Sequence, residues 1–295
     1  MEQYQINQLY TVNKILIFGV GLIGGSLALN AKKTAFASHI VGVGRNQGNL
    51  DDAIKLNLID RISDDLEKDI AESHIIVIAT PVAQFPSILK TIQPHLASHT
   101  IITDVGSIKT EVLKSAKEIL GAQYSQFIGG HPIAGSEKHG ATSADIDLFK
   151  NKNVILTPDE TTSPQAKETI ESLWKNAGAV VSNMSHTEHD KIFSTISHLP
   201  HLLAFSLVDM ITHRSNANEL LKFAASGFKD FTRIAASSPE MWKDITLANK
   251  QFILEDIQHY ENEIKLLKEA IQHEDTKKIL ALFENASKTR NKWSQ

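Results

Sequence analysis

The segment Gly19-Val20-Gly21-Leu22-Ile23-Gly24 has the residue types and spacing to cradle a dinucleotide pyrophosphate. It directly follows the apolar run KILIF and opens a second apolar run of helix length, the context in which spaced glycines are informative. Gly19 permits the sharp turn, Gly21 lets the pyrophosphate approach the backbone, and Gly24 lets helix and strand pack closely. The helix start, with Leu22 and Ile23 in its first turn, offers free N–H groups to phosphate. The next β-like run, HIVGVG, ends in Gly44-Arg45-Asn46, where a carboxylate usually accepts the ribose hydroxyls. With no acid at that tip and Arg45 able to pair with a 2′-phosphate, the cofactor is NAD(P), with NADP slightly favoured over NAD. An arginine stacked on the adenine would serve either. Thr80 and Pro81, which close the run HIIVIAT, are assigned to the same cofactor site.

These residues need a scaffold. Short β-branched runs recur through the first 185 residues, namely KILIFG, HIVGVG, HIIVIAT, TIITDVG, FIGGHP, NVILTP and AVVSN, most of them separated by helix-length segments. Such alternation is the pattern of βαβ units, and apolar side chains on consecutive positions imply a parallel sheet covered on both faces. After about Ser185 the strand signals stop and only helical patterns follow. The expected class is α/β: a doubly wound Rossmann-type domain over residues 1–185, then an all-α domain over 186–295 for substrate binding and dimerisation. Ile253, Ile257, Tyr260, Ile264, Leu267 and Ile271 recur at spacings of four and three, a stripe that packs against another helix within the subunit or across a dimer.

Composition narrows the partners. The chain has 295 residues, 42% of them hydrophobic, enough for a substantial core. Its 30 basic and 34 acidic residues give no strong field toward nucleic acid or an anionic membrane, which leaves a small molecule as the expected partner. The absence of cysteine excludes disulfides, thiolate metal sites and cysteine nucleophiles. The polar start MEQYQINQLYTVNK does not read as a secretory signal, and the apolar run Ile15–Leu29 holds four glycines and falls short of the ~20 residues of a membrane helix. A cytoplasmic location is expected. No His/Asp/Glu cluster has ligand spacing, so no metal is expected.

Four further clusters are unusual: Asp104-Val105-Gly106-Ser107-Ile108-Lys109, Gly129-Gly130-His131-Pro132-Ile133-Ala134-Gly135-Ser136-Glu137, Ser197-His198-Leu199-Pro200-His201, and Gly227-Phe228-Lys229-Asp230-Phe231-Thr232-Arg233, with Met241-Trp242 just beyond. Their order and wording resemble the prephenate/arogenate dehydrogenases over nearly the whole chain. The resemblance implies that His131 acts on the ring hydroxyl while the hydroxyl carbon gives up hydride, a task suited to an imidazole whose ordinary pKa lies near working pH. It implies that Ser107 orients that histidine and touches the substrate hydroxyl. It gives Arg233 a substrate carboxylate, for which a planar fork of donors is suited. His198 and His201 would line the helical side of the pocket, Glu137 its mouth, and Trp242 would reach the substrate from the partner subunit of a homodimer. His39, His74, His95, His99 and His259 are expected to be solvated or satisfied in the core.

The implied reaction is the oxidative decarboxylation of prephenate to 4-hydroxyphenylpyruvate in tyrosine biosynthesis, or of arogenate to tyrosine. No residue separates the two substrates. The resemblance also carries the expectation of a monofunctional chain, in which any inhibition by tyrosine would act by competition at the active site. Two other readings stand further off. One is a two-domain reductase acting on β-hydroxyacids, ketopantoate or pyrroline carboxylate, several of which use a catalytic lysine. The other is a nucleotide-sensing binding protein that lost catalysis, against which Ser107, His131 and Arg233 argue.

Overall fold

The computed structural model describes residues 11–135 and 138–293. In β1 (Val12–Phe18) the consecutive residues Ile15, Leu16 and Ile17 are all fully buried. Successive strand side chains point to opposite faces, so both faces must be covered. One is covered by α1 (Leu22–Lys33) and α6 (Pro164–Asn176), which bring Leu27, Leu173 and Trp174 onto Ile15, Ile17 and Val77. On the other, α4 (Phe85–Ile92) and α5 (Thr110–Leu120) pack Phe85, Leu89, Val112 and Ala116 against Leu16, Ile76 and Ile78. Each fully buried side chain of this size contributes about 1.5–3 kcal/mol.

The remaining strands are β2 (Ala37–Val43), β3 (Arg61–Ile62), β4 (Ile75–Ile78), β5 (Ile101–Asp104), β6 (Phe127–Pro132), β7 (Asn153–Thr157) and β8 (Val180–Asn183), with α2 (Gln47–Lys55) and α3 (Leu66–Ala71) in the first half. They form one eight-stranded sheet in the order β3-β2-β1-β4-β5-β6-β7-β8. The doubly wound expectation holds, with two differences. β3 is only two residues long, too short for an apolar pattern. The sheet is not wholly parallel, because β7 runs antiparallel to β6. Apolar runs report covered faces and say nothing of strand direction. Between β6 and β7 the described residues hold only the 3₁₀ turn Ala141–Ser143, and a chain without a crossover helix returns antiparallel.

From residue 186 onward the described chain is helical: α7 (His186–Phe193), a π-helical turn (Ser194–His198), α8 (Leu199–Thr212), α9 (Ala217–Lys222), α10 (Ser226–Thr232), a 3₁₀ turn (Arg233–Ala236), α11 (Pro239–Ala248), α12 (Lys250–Gln272) and α13 (Thr276–Trp293). The π turn precedes Pro200, which has no N–H for the carbonyl four residues back, so the regular ladder is interrupted there. Ile253 is buried, but Tyr260, Ile264 and Ile271 of the α12 stripe are 38%, 46% and 58% exposed. The stripe is therefore covered at its start and open along its outer length in one chain. No helix among the described residues is long and apolar enough to cross a membrane.

Candidate active site

The tips of β1, β4, β5 and β6 share the carboxyl edge of the sheet, where open α/β sheets bind ligands. At the first tip, Gly19 has φ +93°, and a Cβ there would lie 2.6 Å from the Ala79 carbonyl oxygen, so no other residue fits without strain. A Cβ on Gly24 would strike the Gly19 oxygen at 2.1 Å. Gly21, by contrast, faces open space and caps α1 with no side chain over its first-turn amides. Leu22 and Ile23 begin the helix half-buried beside this opening. Across from it, Thr80 Oγ1 is buried without a hydrogen-bond partner, next to Pro81 at the end of β4. An anion-sized opening, free amides and an unpaired hydroxyl fit a dinucleotide. At the tip of β2, Gly44 and Arg45 are exposed, and Arg45 makes no ion pair among the described residues.

His131 stands at the end of β6, one residue after Gly130. Both backbone groups of Gly130 are held by a buried ion pair from the β5 side. Its N–H donates to Asp104 Oδ1 at 3.1 Å, and its carbonyl accepts from Lys109 Nζ at 2.8 Å. Asp104 and Lys109 are fully buried and paired to each other. Burial pushes the carboxyl up and the amine down, opposed by their mutual attraction.

The hydrogen bonds of His131 determine where its proton sits. Nδ1 lies 2.8 Å from Nε2 of His189, whose own Nδ1 lies 2.8 Å from Asp190 Oδ1. An ionised carboxylate only accepts, so His189 Nδ1 carries the hydrogen. Burial lowers the His189 pKa, with Asp190 working against it, and leaves the ring neutral with a lone pair on Nε2. His131 must then donate from Nδ1, which leaves the lone pair on Nε2 as the base. The His131 ring is partly exposed, yet its surroundings are close enough that burial is the largest influence on it. Burial, reinforced by His189, Lys109 and His198, holds its pKa well below the ordinary value. Phe193 packs edge-on at 4.9 Å.

Asp190 belongs to the helical half, but its carboxylate accepts from the backbone of Lys109 at 2.8 Å and Thr110 at 2.7 Å, at the start of α5. It thus ties the two halves together at a helix N-terminus. Burial pushes its pKa up, but the hydrogen bonds from His189, Thr110 and Lys109 prevail and hold it below the usual carboxylate range.

On the helical side, His201 donates from Nδ1 to the Ser197 carbonyl at 2.9 Å and stacks on Trp242 with ring centroids 3.8 Å apart. Arg233, exposed in its 3₁₀ turn, is near enough for its charge to add to burial in lowering the His201 pKa. His198 is buried between Trp242 and the Ser107 backbone. The sheet edge and α8–α11 thus bring Ser107, His131, His198, His201, Arg233 and Trp242 around one cleft.

One sequence expectation is corrected. No hydrogen bond joins Ser107 to His131; the ring is oriented by His189 instead, which occupies its Nδ1. Within its own chain Trp242 is buried on His201, where α11 packs against the Val82–Gln84 turn. Glu137 lies outside the described residues. His189, Asp190 and Asn249 were not singled out by sequence reasoning, and Lys109 was quoted in its cluster without a role. The run His186-Thr187-Glu188-His189-Asp190, dense in titratable side chains just ahead of SHLPH, was the available signal for the first two.

Comparison with known proteins gives the same direction. Residues 27–183 match the family described as "Prephenate dehydrogenase, nucleotide-binding domain", and residues 185–285 match "Prephenate dehydrogenase, dimerization domain". A prephenate dehydrogenase of Bacillus subtilis is 41% identical, covering 94% of this chain and 75% of that protein. A cyclohexadienyl dehydrogenase of Zymomonas mobilis is 32% identical, covering 94% of each. The crystal structure of prephenate dehydrogenase from A. aeolicus in complex with hydroxyphenyl propionate and NAD+ superposes with a TM-score of 0.90 at 35% identity, covering 96% of this chain and 99% of that one.

Proposed function

Because the chain belongs to the prephenate dehydrogenase family and is an NAD(P)-dependent dehydrogenase, we propose that it converts prephenate to 4-hydroxyphenylpyruvate and carbon dioxide in tyrosine biosynthesis. The observation that carries this reading is the lone pair left on Nε2 of His131, a neutral base held on the same sheet edge as the cofactor loop.

His131 Nε2 takes the hydroxyl proton, and the ring carbon gives up its hydride. A nicotinamide cofactor held at the start of α1 supplies the oxidising power. Arg233, the one guanidinium placed on this cleft and unpaired among the described residues, binds a substrate carboxylate, while His201 and Trp242 form an apolar and polar wall against the ring. Ser107 contacts the substrate hydroxyl, and Glu137 is assigned to the substrate by its motif alone. Once the ring is a dienone, loss of carbon dioxide restores aromaticity, so the protein need only align the groups. Residues 1–185 hold the cofactor, and 186–295 complete the pocket and form a homodimer. The dimerisation-domain match and the open side of α12 support that assembly. The enzyme works in the cytoplasm.

The test is reduction of the nicotinamide, followed by absorbance, with prephenate and arogenate and with NAD and NADP. Faster turnover of prephenate is expected. Preference for arogenate would make the protein an arogenate dehydrogenase, and turnover of neither would overturn the reading. With Gly44 and Arg45 at the β2 tip, NADP should serve at least as well as NAD, and Arg45→Ala should weaken NADP about tenfold to a hundredfold more than NAD. A strong wild-type preference for NAD would leave Arg45 a surface residue.

A further inference from the structure

A second imidazole, that of His198, is buried near His131. His198 ends the π turn and is 1% exposed. Its Nδ1 lies 3.0 Å from Nδ2 of Asn249, which is itself buried at the junction of α11 and α12. The same amide nitrogen lies 2.9 Å from the backbone oxygen of Asp190. A carbonyl oxygen only accepts, so the amide must face it with nitrogen, and the other amide hydrogen is left for His198. Nδ1 of His198 is therefore the acceptor, and the ring proton sits on Nε2. That Nε2–H is buried with no well-formed hydrogen bond, although the Ser107 backbone oxygen is close. A buried donor left without a partner is costly, and at a cleft it points to a ligand oxygen.

We propose that Asn249 is a positioning residue that fixes the His198 proton on Nε2, so that the two imidazoles of the cleft act as a complementary pair. His131 offers a lone pair to the departing hydroxyl proton, and His198 offers an N–H to the oxygen that loses it. The proposal rests on the dehydrogenase reading. The proton leaves the hydroxyl oxygen for His131, the hydride leaves the carbon for the nicotinamide, and the His198 hydrogen is shared but not transferred. Asp190 links the arms, since its carboxylate sets His189 and through it His131, while its backbone oxygen orients Asn249.

The titratable groups facing His198 are Asp190 and His189 from α7, His201 from α8 and His131 from β6, with Lys109 behind His189. Burial is the largest influence and lowers the His198 pKa to about 4, so the ring is neutral at working pH.

Two measurements decide the matter. In histidine-¹⁵N NMR of the free wild-type protein, the signal lost in His198→Gln should show a protonated Nε2 and a bare Nδ1. A proton on Nδ1 would overturn the proposal without any assay of turnover, so this arm stands even if prephenate is not the substrate. In Asn249→Asp the carboxylate can only accept and draws the ring proton to Nδ1, which strips the donor from Nε2. Turnover of prephenate at about pH 8 should fall roughly tenfold to a hundredfold. It should then rise as pH falls toward about 6, because the imidazolium again carries an N–H at Nε2. Wild type should stay flat over that range. A uniform loss with the wild-type pH profile would mean that Asn249 only supports the fold, and would overturn the proposal. If the variant does not fold, the NMR of wild type decides alone.

Discussion

The two sides of the cleft are made of different material. On the cofactor side the parts that meet the pyrophosphate are main-chain: the Gly19 turn and the open amides of α1. On the substrate side they are side chains, and each is held by another through a directional hydrogen bond, as in Asp190 to His189 to His131 and Asn249 to His198. A main-chain site depends on space, so it fails when a Cβ intrudes and tolerates most other changes. A side-chain relay depends on which atom carries each proton, so it fails on the loss of one nitrogen.

The largest expected effect is therefore on the relay. His131→Asn keeps a polar group of similar size and removes the base, and kcat should fall by about two to four orders of magnitude with cofactor affinity unchanged. Turnover near that of wild type would remove His131 from the chemistry. Next is Arg233→Ala, which takes away a charge-assisted contact and should raise the prephenate KM about tenfold to a hundredfold with a smaller change in kcat. Steady-state kinetics with an unchanged KM would place the carboxylate elsewhere. The smallest is on the main-chain side, where Gly19→Ala forces a φ of +93° and a clash with Ala79. It should destabilise the fold by about 1–3 kcal/mol and weaken the nicotinamide cofactor, read by thermal unfolding with and without ligand. Equal stability would mean that the turn relaxes freely.

The same contrast decides what could be read from the sequence. The fingerprint was legible because its glycines act within six residues of chain, on local geometry. His131 and Arg233 were legible because their motifs resemble those of the prephenate/arogenate dehydrogenase family. The relay was not, since His131 meets His189 across 58 positions and Lys109 meets Asp190 across 81, and no periodicity marks such contacts. The family resemblance gave Ser107 the task of orienting His131, but a second imidazole, that of His189, occupies its Nδ1. The antiparallel β7 and the two-residue β3 escaped for a related reason, since apolar runs record burial and not direction or partner.

The central claim is that His131 works as a neutral base, and the pH dependence of wild-type kcat/KM for prephenate tests it most directly. Burial and the neighbouring His189, Lys109 and His198 hold its pKa well below the ordinary value, so protonation should abolish activity only at acid pH. The profile should stay level as pH falls through about 6.5, the ordinary histidine value, and then drop with a slope of one proton. An acid limb centred at or above about 6.5 would mean that the base is not this buried, relay-held histidine.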